Sequence, residues 1–194
     1  MYAKANAVPL FTKDLDALRR SGRAPSLLMS SVTDPYQGVE RRFRLTRGIL
    51  EKLVEEPYPG RVGILTKSPL VLRDVDLLAA LPRVEVGLTV TTTDDRLGRL
   101  LEVRAPRASR RLATLAALRA HGITIYAFVG PLLPHFWYER AALDTLFRGL
   151  ALSGERAVYV VHLNVSPYIR QRLMRHLRTE RPEVQDVYRK AGHA

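Results

Sequence analysis

The 194-residue sequence predicts an α/β fold built on parallel strands. Short β-branched, nearly continuous apolar runs alternate along the chain with amphipathic helical periods, as in a sheet whose strands are joined by crossover helices. The runs lack the polar alternation of half-exposed strands, so both of their faces are expected to be covered. A third regularity bears on function: polar residues collect just after the runs, at the strand ends beyond which ligands bind in such folds.

The chain opens on a helix. Phe11, Leu15 and Leu18 recur at helical spacing, so a barrel of βα units would begin here without its first strand. Strand candidates follow at Ser26 to Ser30, Arg61 to Leu65, Val84 to Val90, Ile123 to Val129 and Ala157 to Leu163. Between them, Val39, Phe43, Leu50, Leu53 and Val54 are expected on one helical face, and Leu112, Leu115, Ala116 and the stem of Arg119 on a second. Tyr138, Ala142, Leu146 and Leu150 make a third. His121-Gly122 closes the second of these helices, with glycine supplying a left-handed cap. The last helix, from about Tyr168 to Arg178, keeps Ile169, Leu173 and Leu177 on one side. Arg170, Arg172, Arg175 and Arg178 surround the rest as a solvated face. Neither a linker nor a repeat beyond the βα alternation interrupts the pattern. Residues 1–194 are therefore expected to form a single domain, with about 168–194 as a C-terminal helical extension.

Composition excludes several functions. With no cysteine, the chain has no disulfide, zinc ribbon, thiol nucleophile or thiolate-held cluster of its own. The start lacks an apolar core after a basic flank, and no run approaches the length that crosses a bilayer, so a cytoplasmic protein without a membrane partner is expected. The formal charge is +12, and 31 basic residues include only five lysines. A basic surface concentrates polyanions, which makes DNA or another nucleic acid a candidate partner. Arg-rich coding gives the same composition, and the arginines are spread along the sequence instead of gathered in one patch.

The strand ends carry the candidate site. Ser30-Ser31-Val32-Thr33-Asp34 follows the first run, Thr66-Lys67-Ser68 the second, and Thr89 with Thr91, Thr92 and Thr93 the third. Gly130-Pro131 ends the fourth, and His162 with Asn164 the fifth. Taken singly, each has a structural explanation: Asp34-Pro35 starts turns, and Ser or Thr after a strand caps the next helix. Lys67 stands apart, because a lysine at a strand end is placed to pair with a carboxylate or phosphate. Their joint placement carries the argument.

Other chemistries lack their equipment. The sequence has no G-x-S-x-G elbow, no Walker A loop and no G-x-G-x-x-G after a strand. The histidines at 121, 135, 162, 176 and 193 have no helical metal-ligand spacing, so no metal site is expected from them. Glu102 and Asp74 are candidate acids or bases, with no sequence reason for an altered pKa at either.

Several multi-residue motifs, in order along nearly the whole chain, resemble radical SAM proteins of the spore photoproduct lyase-like (DNA repair photolyase-like) group. Thr33-Asp34-Pro35-Tyr36-Gln37 with Glu40 and Leu45-Thr46-Arg47 is similar to that group's second-strand signature. Thr66-Lys67-Ser68 with Leu72-Arg73-Asp74 resembles its third βα unit. Thr89-Val90-Thr91-Thr92, then Leu101-Glu102, Arg104-Ala105-Pro106 and Arg110-Arg111-Leu112, resembles its fourth. Gly130-Pro131 with Pro134 is similar to its fifth strand end, and Lys4-x-Asn6-Ala7 to the segment after its cluster-binding region.

The resemblance implies a partial (βα) TIM-type barrel whose first, cluster-bearing strand is missing here. It also implies a chemistry in which a reduced 4Fe-4S cluster cleaves S-adenosyl-L-methionine (SAM) to a 5′-deoxyadenosyl radical. By similarity, Ser31, Thr33 and Asp34 lie at the methionyl end of SAM, with Lys67, Thr89 and Thr91 as further cofactor contacts. The catalytic residues are left open. Two departures stand out. Ser30 and Ser31 replace the usual Gly-Gly, and the C-x-x-x-C-x-x-C loop is absent, so this chain alone cannot ligate a cluster. The expectation is an N-terminally truncated or cluster-less family member, inactive alone, whose missing cysteines translation of the upstream DNA would reveal. The alternative is a cluster-free protein that binds nucleic acid or another partner through its basic surface. A third possibility is an aggregating product with an unpaired sheet edge.

Overall fold

Each apolar run becomes one strand of a single five-stranded sheet, with all pairings parallel and the spatial order following the sequence. The computed structural model describes residues 3–29, 33–102, 104–133, 136, 139–154, 157–162 and 166–180. The expectations placed on Ser30, Ser31, Val32, Pro134, His135, Tyr138, Leu163, Asn164 and residues 181–194 lie outside the described residues.

The strands are β1 (Leu27–Met29), β2 (Val62–Thr66), β3 (Val84–Thr89), β4 (Thr124–Leu132) and β5 (Val158–His162). They alternate with α1 (Ala7–Arg20), α2 (Glu40–Phe43), α3 (Leu45–Glu55), α4 (Val75–Ala80), α5 (Asp95–Leu101), α6 (Ala108–Ala120), α7 (Arg140–Ser153) and α8 (Pro167–Glu180). A 3₁₀ turn, Pro69–Asp74, precedes α4. Five parallel strands with flanking helices make a partial TIM-type barrel.

The core lies between the sheet and its helices. Ile64, Val86, Leu88, Ala127 and Val129 are sealed under Leu50, Leu53, Leu78, Leu115, Leu118, Leu146 and Leu150, which are fully buried. Each such leucine is worth about 1.5–3 kcal/mol relative to exposure. The alternate strand residues point to the opposite, concave face. There Gly87 makes room for its partner across the ladder: a Cβ at this position would lie 2.1 Å from the Tyr126 ring. Tyr126 in turn meets Tyr159 edge to face, with ring centroids 5.3 Å apart. Gly122, at φ +75°, is the expected left-handed residue after α6.

Two helices depart from the predicted faces. The period from Val39 to Val54 is not one helix: Arg44 adopts φ 50° between α2 and α3, and Val39 and Phe43 stay exposed while Leu50 and Leu53 are buried. The break exists because the Glu40 carboxylate turns back onto the first amides of α3, accepting from Leu45 N at 2.9 Å and Thr46 N at 3.0 Å. In α6 the inward face is Arg111, Thr114, Leu115 and Leu118, and Ala116 is exposed.

Candidate functional site at the strand ends

Asp34, in the loop after β1, reaches across to the end of β2. Its Oδ1 accepts from Thr66 Oγ1 at 2.6 Å and Tyr36 N at 2.8 Å, and its Oδ2 accepts from Lys67 N at 2.8 Å. The turn reading of Asp34 is therefore correct as far as it goes, and the same carboxylate also ties two strand ends together. The Lys67 side chain continues outward and pairs through Nζ with Glu102 Oε1 at 2.8 Å.

Glu102 is the hub. Its Oε2 accepts from Arg111 Nη2 at 2.6 Å and lies 3.5 Å from Thr91 Oγ1. Arg111 is 2% exposed and spends its other donors on backbone, giving Nη1 to Thr89 O at 3.0 Å and Nε to Pro106 O at 2.8 Å. A buried guanidinium is tolerable only when its donors are so occupied. Burial pushes the Glu102 carboxyl up, but the Arg111 charge and the Lys67 hydrogen bond and charge outweigh it and hold it below the usual carboxylate range. Nothing in the sequence pattern marks that shift.

The structure thus brings Asp34, Lys67, Thr89 and Thr91 into one chain of contacts spanning the ends of β1, β2 and β3. Two cations, Lys67 and Arg111, share the Glu102 carboxylate, and Asp34 brings a second carboxylate, so the four charges of the chain balance. Thr33 is exposed beside Asp34. Arg111 was missed as a site residue, although its phase with Thr114, Leu115 and Leu118 marks an inward arginine on an otherwise apolar helical face.

A second ionic cluster braces the loop that presents Asp34. Arg73 pairs with Glu40 at 3.0 Å and with the fully buried Asp74 at 2.7 Å. Arg47 bridges Asp74 at 3.0 Å, Asp76 at 2.8 Å and Glu51 at 3.1 Å. Tyr36 is packed beneath them, and burial, with the Asp74 carboxylate nearby, pushes its phenol up. Glu40, Arg47, Arg73 and Asp74 are motif residues joined to one another, with Arg47 also held by Asp76 and Glu51. Asp74, which the sequence left open as an acid or base, is enclosed within this cluster.

A cleft of about 550 Å³ opens beside the strand ends, lined by Asp34, Gln37, Arg41, Lys67, Leu70 and Arg104 among others. The donors do not fit an iron-sulfur cluster. The sequence contains no cysteine, and the described residues contain no group of three His, Asp or Glu placed to hold a metal.

The same arrangement of strands and helices occurs in a solved spore photoproduct lyase variant with bound AdoMet and dinucleoside spore photoproduct. The TM-score is 0.71 at 15% identity, over 90% of this chain and 52% of that one. The fold is that of the matched half of spore photoproduct lyase. Streptococcus suis SuiB bound to S-adenosylmethionine matches with a TM-score of 0.57 at 15% identity, over 96% of this chain and 41% of that one. In sequence, an uncharacterized protein of Mycobacterium tuberculosis is 33% identical over 192 residues, 97% of this chain and 55% of that protein. Another, of Methanocaldococcus jannaschii, is 37% identical over 119 residues, 61% of this chain and 45% of that protein. The chain spans about half the length of these relatives. No protein-family model matches it. Among the described residues no helix is long and apolar enough to cross a membrane.

Proposed function

We infer that this chain supplies the SAM-binding strand ends of a radical SAM protein of the spore photoproduct lyase-like kind, and that cluster ligands must come from outside these 194 residues. One observation carries the reading: the Asp34, Lys67, Glu102 and Arg111 chain joins neighbouring parallel strand ends and presents the part-exposed Lys67 ammonium at the cleft. SAM suits that mouth because its methionyl carboxylate is an anion and its ribose carries hydroxyls. Lys67 would hold the carboxylate, with Thr33, Thr89 and Thr91 as hydroxyl partners and Ser31 as the neighbouring candidate. Asp34 would set the loop that carries Thr33, and Glu102 would aim Lys67. When bound with a cluster, SAM supplies an alkyl radical source; without thiolates this chain contributes binding and orientation only. The greater length of the relatives favours this reading over a self-sufficient cluster-free protein. Residues 1–194 would act as one domain of the whole.

Calorimetric titration of SAM into the chain tests it. Binding should weaken at least about tenfold in Lys67→Met, the loss of one charge-assisted hydrogen bond, and remain unchanged in Arg140→Gln, far along the chain on α7. Equal affinity of the wild type and Lys67→Met for SAM, or no heat from either, would remove the reading.

A further inference from the structure

The concave face of the sheet holds a carboxylate that the chain of contacts at the mouth does not use. Glu85, on β3, is part-buried, and among the described residues it makes no hydrogen bond or ion pair. The other buried acids behave differently, since Glu40, Asp74 and Glu102 are each held by an arginine. We propose that this face binds an organic ammonium ion, with Glu85 as its counter-ion and the Tyr126 and Tyr159 rings as its wall.

The register places these groups together. Glu85 and Gly87 follow one another on the concave side of β3, and Tyr126 is the partner of Gly87 across the ladder. The absence of a side chain at Gly87 lets the Tyr126 ring lie across β3, and its hydroxyl reaches Ile64 O on β2 at 3.4 Å. The Glu85 side chain leans the same way: a Cβ at Gly63, the residue before Ile64, would lie 3.8 Å from Glu85 Oε1. Carboxylate and ring therefore end side by side over β2, close enough for the Glu85 charge to help push the Tyr126 phenol up. Tyr159, 53% exposed, stands at 90° to Tyr126 and turns the single ring into a corner.

The chemistry of that corner selects its ligand. Aromatic faces attract a cation within about 6 Å of the ring centre, and an adjacent carboxylate completes the recognition of an ammonium group. A part-buried carboxylate without a partner is costly, and a bound cation offsets that cost. An anion would be repelled by Glu85, and a neutral aromatic ligand would leave it unpaired. Arg61 and Arg83 share a cleft of about 320 Å³ with Glu85 at the opposite end of the strands from the mouth, but both are exposed to water and neither pairs with it. Glu85 lies four residues before Thr89, roughly 13 Å below the mouth along the strand. Resting on the SAM reading, the ammonium compound would be the substrate, anchored on the same face beneath the cofactor; the binding itself does not require that reading.

The test is calorimetric titration with choline in the absence of SAM, set against 3,3-dimethyl-1-butanol, its uncharged carbon analogue. Choline should bind saturably and at least about tenfold more tightly than the analogue. Glu85→Gln, which keeps the shape of the side chain, should weaken choline about tenfold, and Tyr159→Leu about threefold or more. Glu55→Gln removes a carboxylate at the end of α3 and should stay within about twofold. Absence of saturable binding, equal affinity for the uncharged analogue, or full affinity in Glu85→Gln or Tyr159→Leu would overturn the proposal. So would an equal loss in Glu55→Gln, which would mean diffuse attraction. The SAM titration reads Lys67 and the choline titration reads Glu85 and Tyr159, so failure of either leaves the other binding claim standing.

Discussion

At the scale of single residues, Glu102 shows how one carboxylate organises a site. Its side chain is only 16% exposed, yet it stays ionised because two cations reach it from different elements, α6 and the end of β2. Its depressed pKa fixes the sign of its pH effect. The stabilisation is fully present above the unfolded glutamate value of about 4.3, and it is lost as pH falls through the lower folded value. Glu102→Gln should therefore cost about 2–3 kcal/mol at neutral pH, a difference that shrinks as the pH drops below about 4. Urea melts of both proteins across that range check it; a difference independent of pH would show that the charge contributes nothing. Tyr126 has the opposite sign. Burial first, then the Glu85 charge and Tyr159, push its phenol up to about 12, so it stays a neutral hydroxyl on the concave face through the physiological range.

Among the elements, the join between α2 and α3 is the informative one. A continuous apolar period would have made one helix, but the Glu40 carboxylate caps α3 from within the chain and receives Arg73 from the 3₁₀ turn. That makes Glu40 a helix cap and an ion-pair partner at once, and it ties α2 and α3 to the 3₁₀ turn that follows β2. Removing the carboxylate leaves the first amides of α3 without their acceptor and takes one of two carboxylates from the Arg73 guanidinium. Glu40→Ala should lose about 2–4 kcal/mol by chemical denaturation, and Glu40→Gln distinctly less, because its amide oxygen still accepts. If the two substitutions cost the same, the charge on Glu40 is immaterial to this join.

For the molecule as a whole, the exposed edges matter most. Among the described strands β1 pairs only with β2 and β5 only with β4. Leu28 on β1 is 61% exposed, and Val158 to Val161 on β5 are exposed too. An unpaired parallel edge carrying apolar side chains is a template for another chain. The 194-residue chain should self-associate with rising concentration, and Leu28→Lys should reduce light scattering while changing unfolding free energy by less than about 0.5 kcal/mol. Unchanged scattering in that variant would show that β1 is not the sticking edge.

Much of this was legible in the sequence for a local reason. A β-branched run, a helical period and a glycine at a helix end each describe a few neighbouring residues and their solvent exposure, so the five strands and the Gly122 cap could be read directly. The polar residues after the strands could also be read, since parallel connectivity places all those ends on one side. Distance through space could not. That Asp34 would spend both oxygens on β2, that Glu102 would lie between Lys67 and Arg111, and that Glu40 would split a helix all depend on residues meeting across the sheet ends. Periodicity reports which face a residue takes; only the packing of sheet, helices and loops in three dimensions decides which charge it meets there.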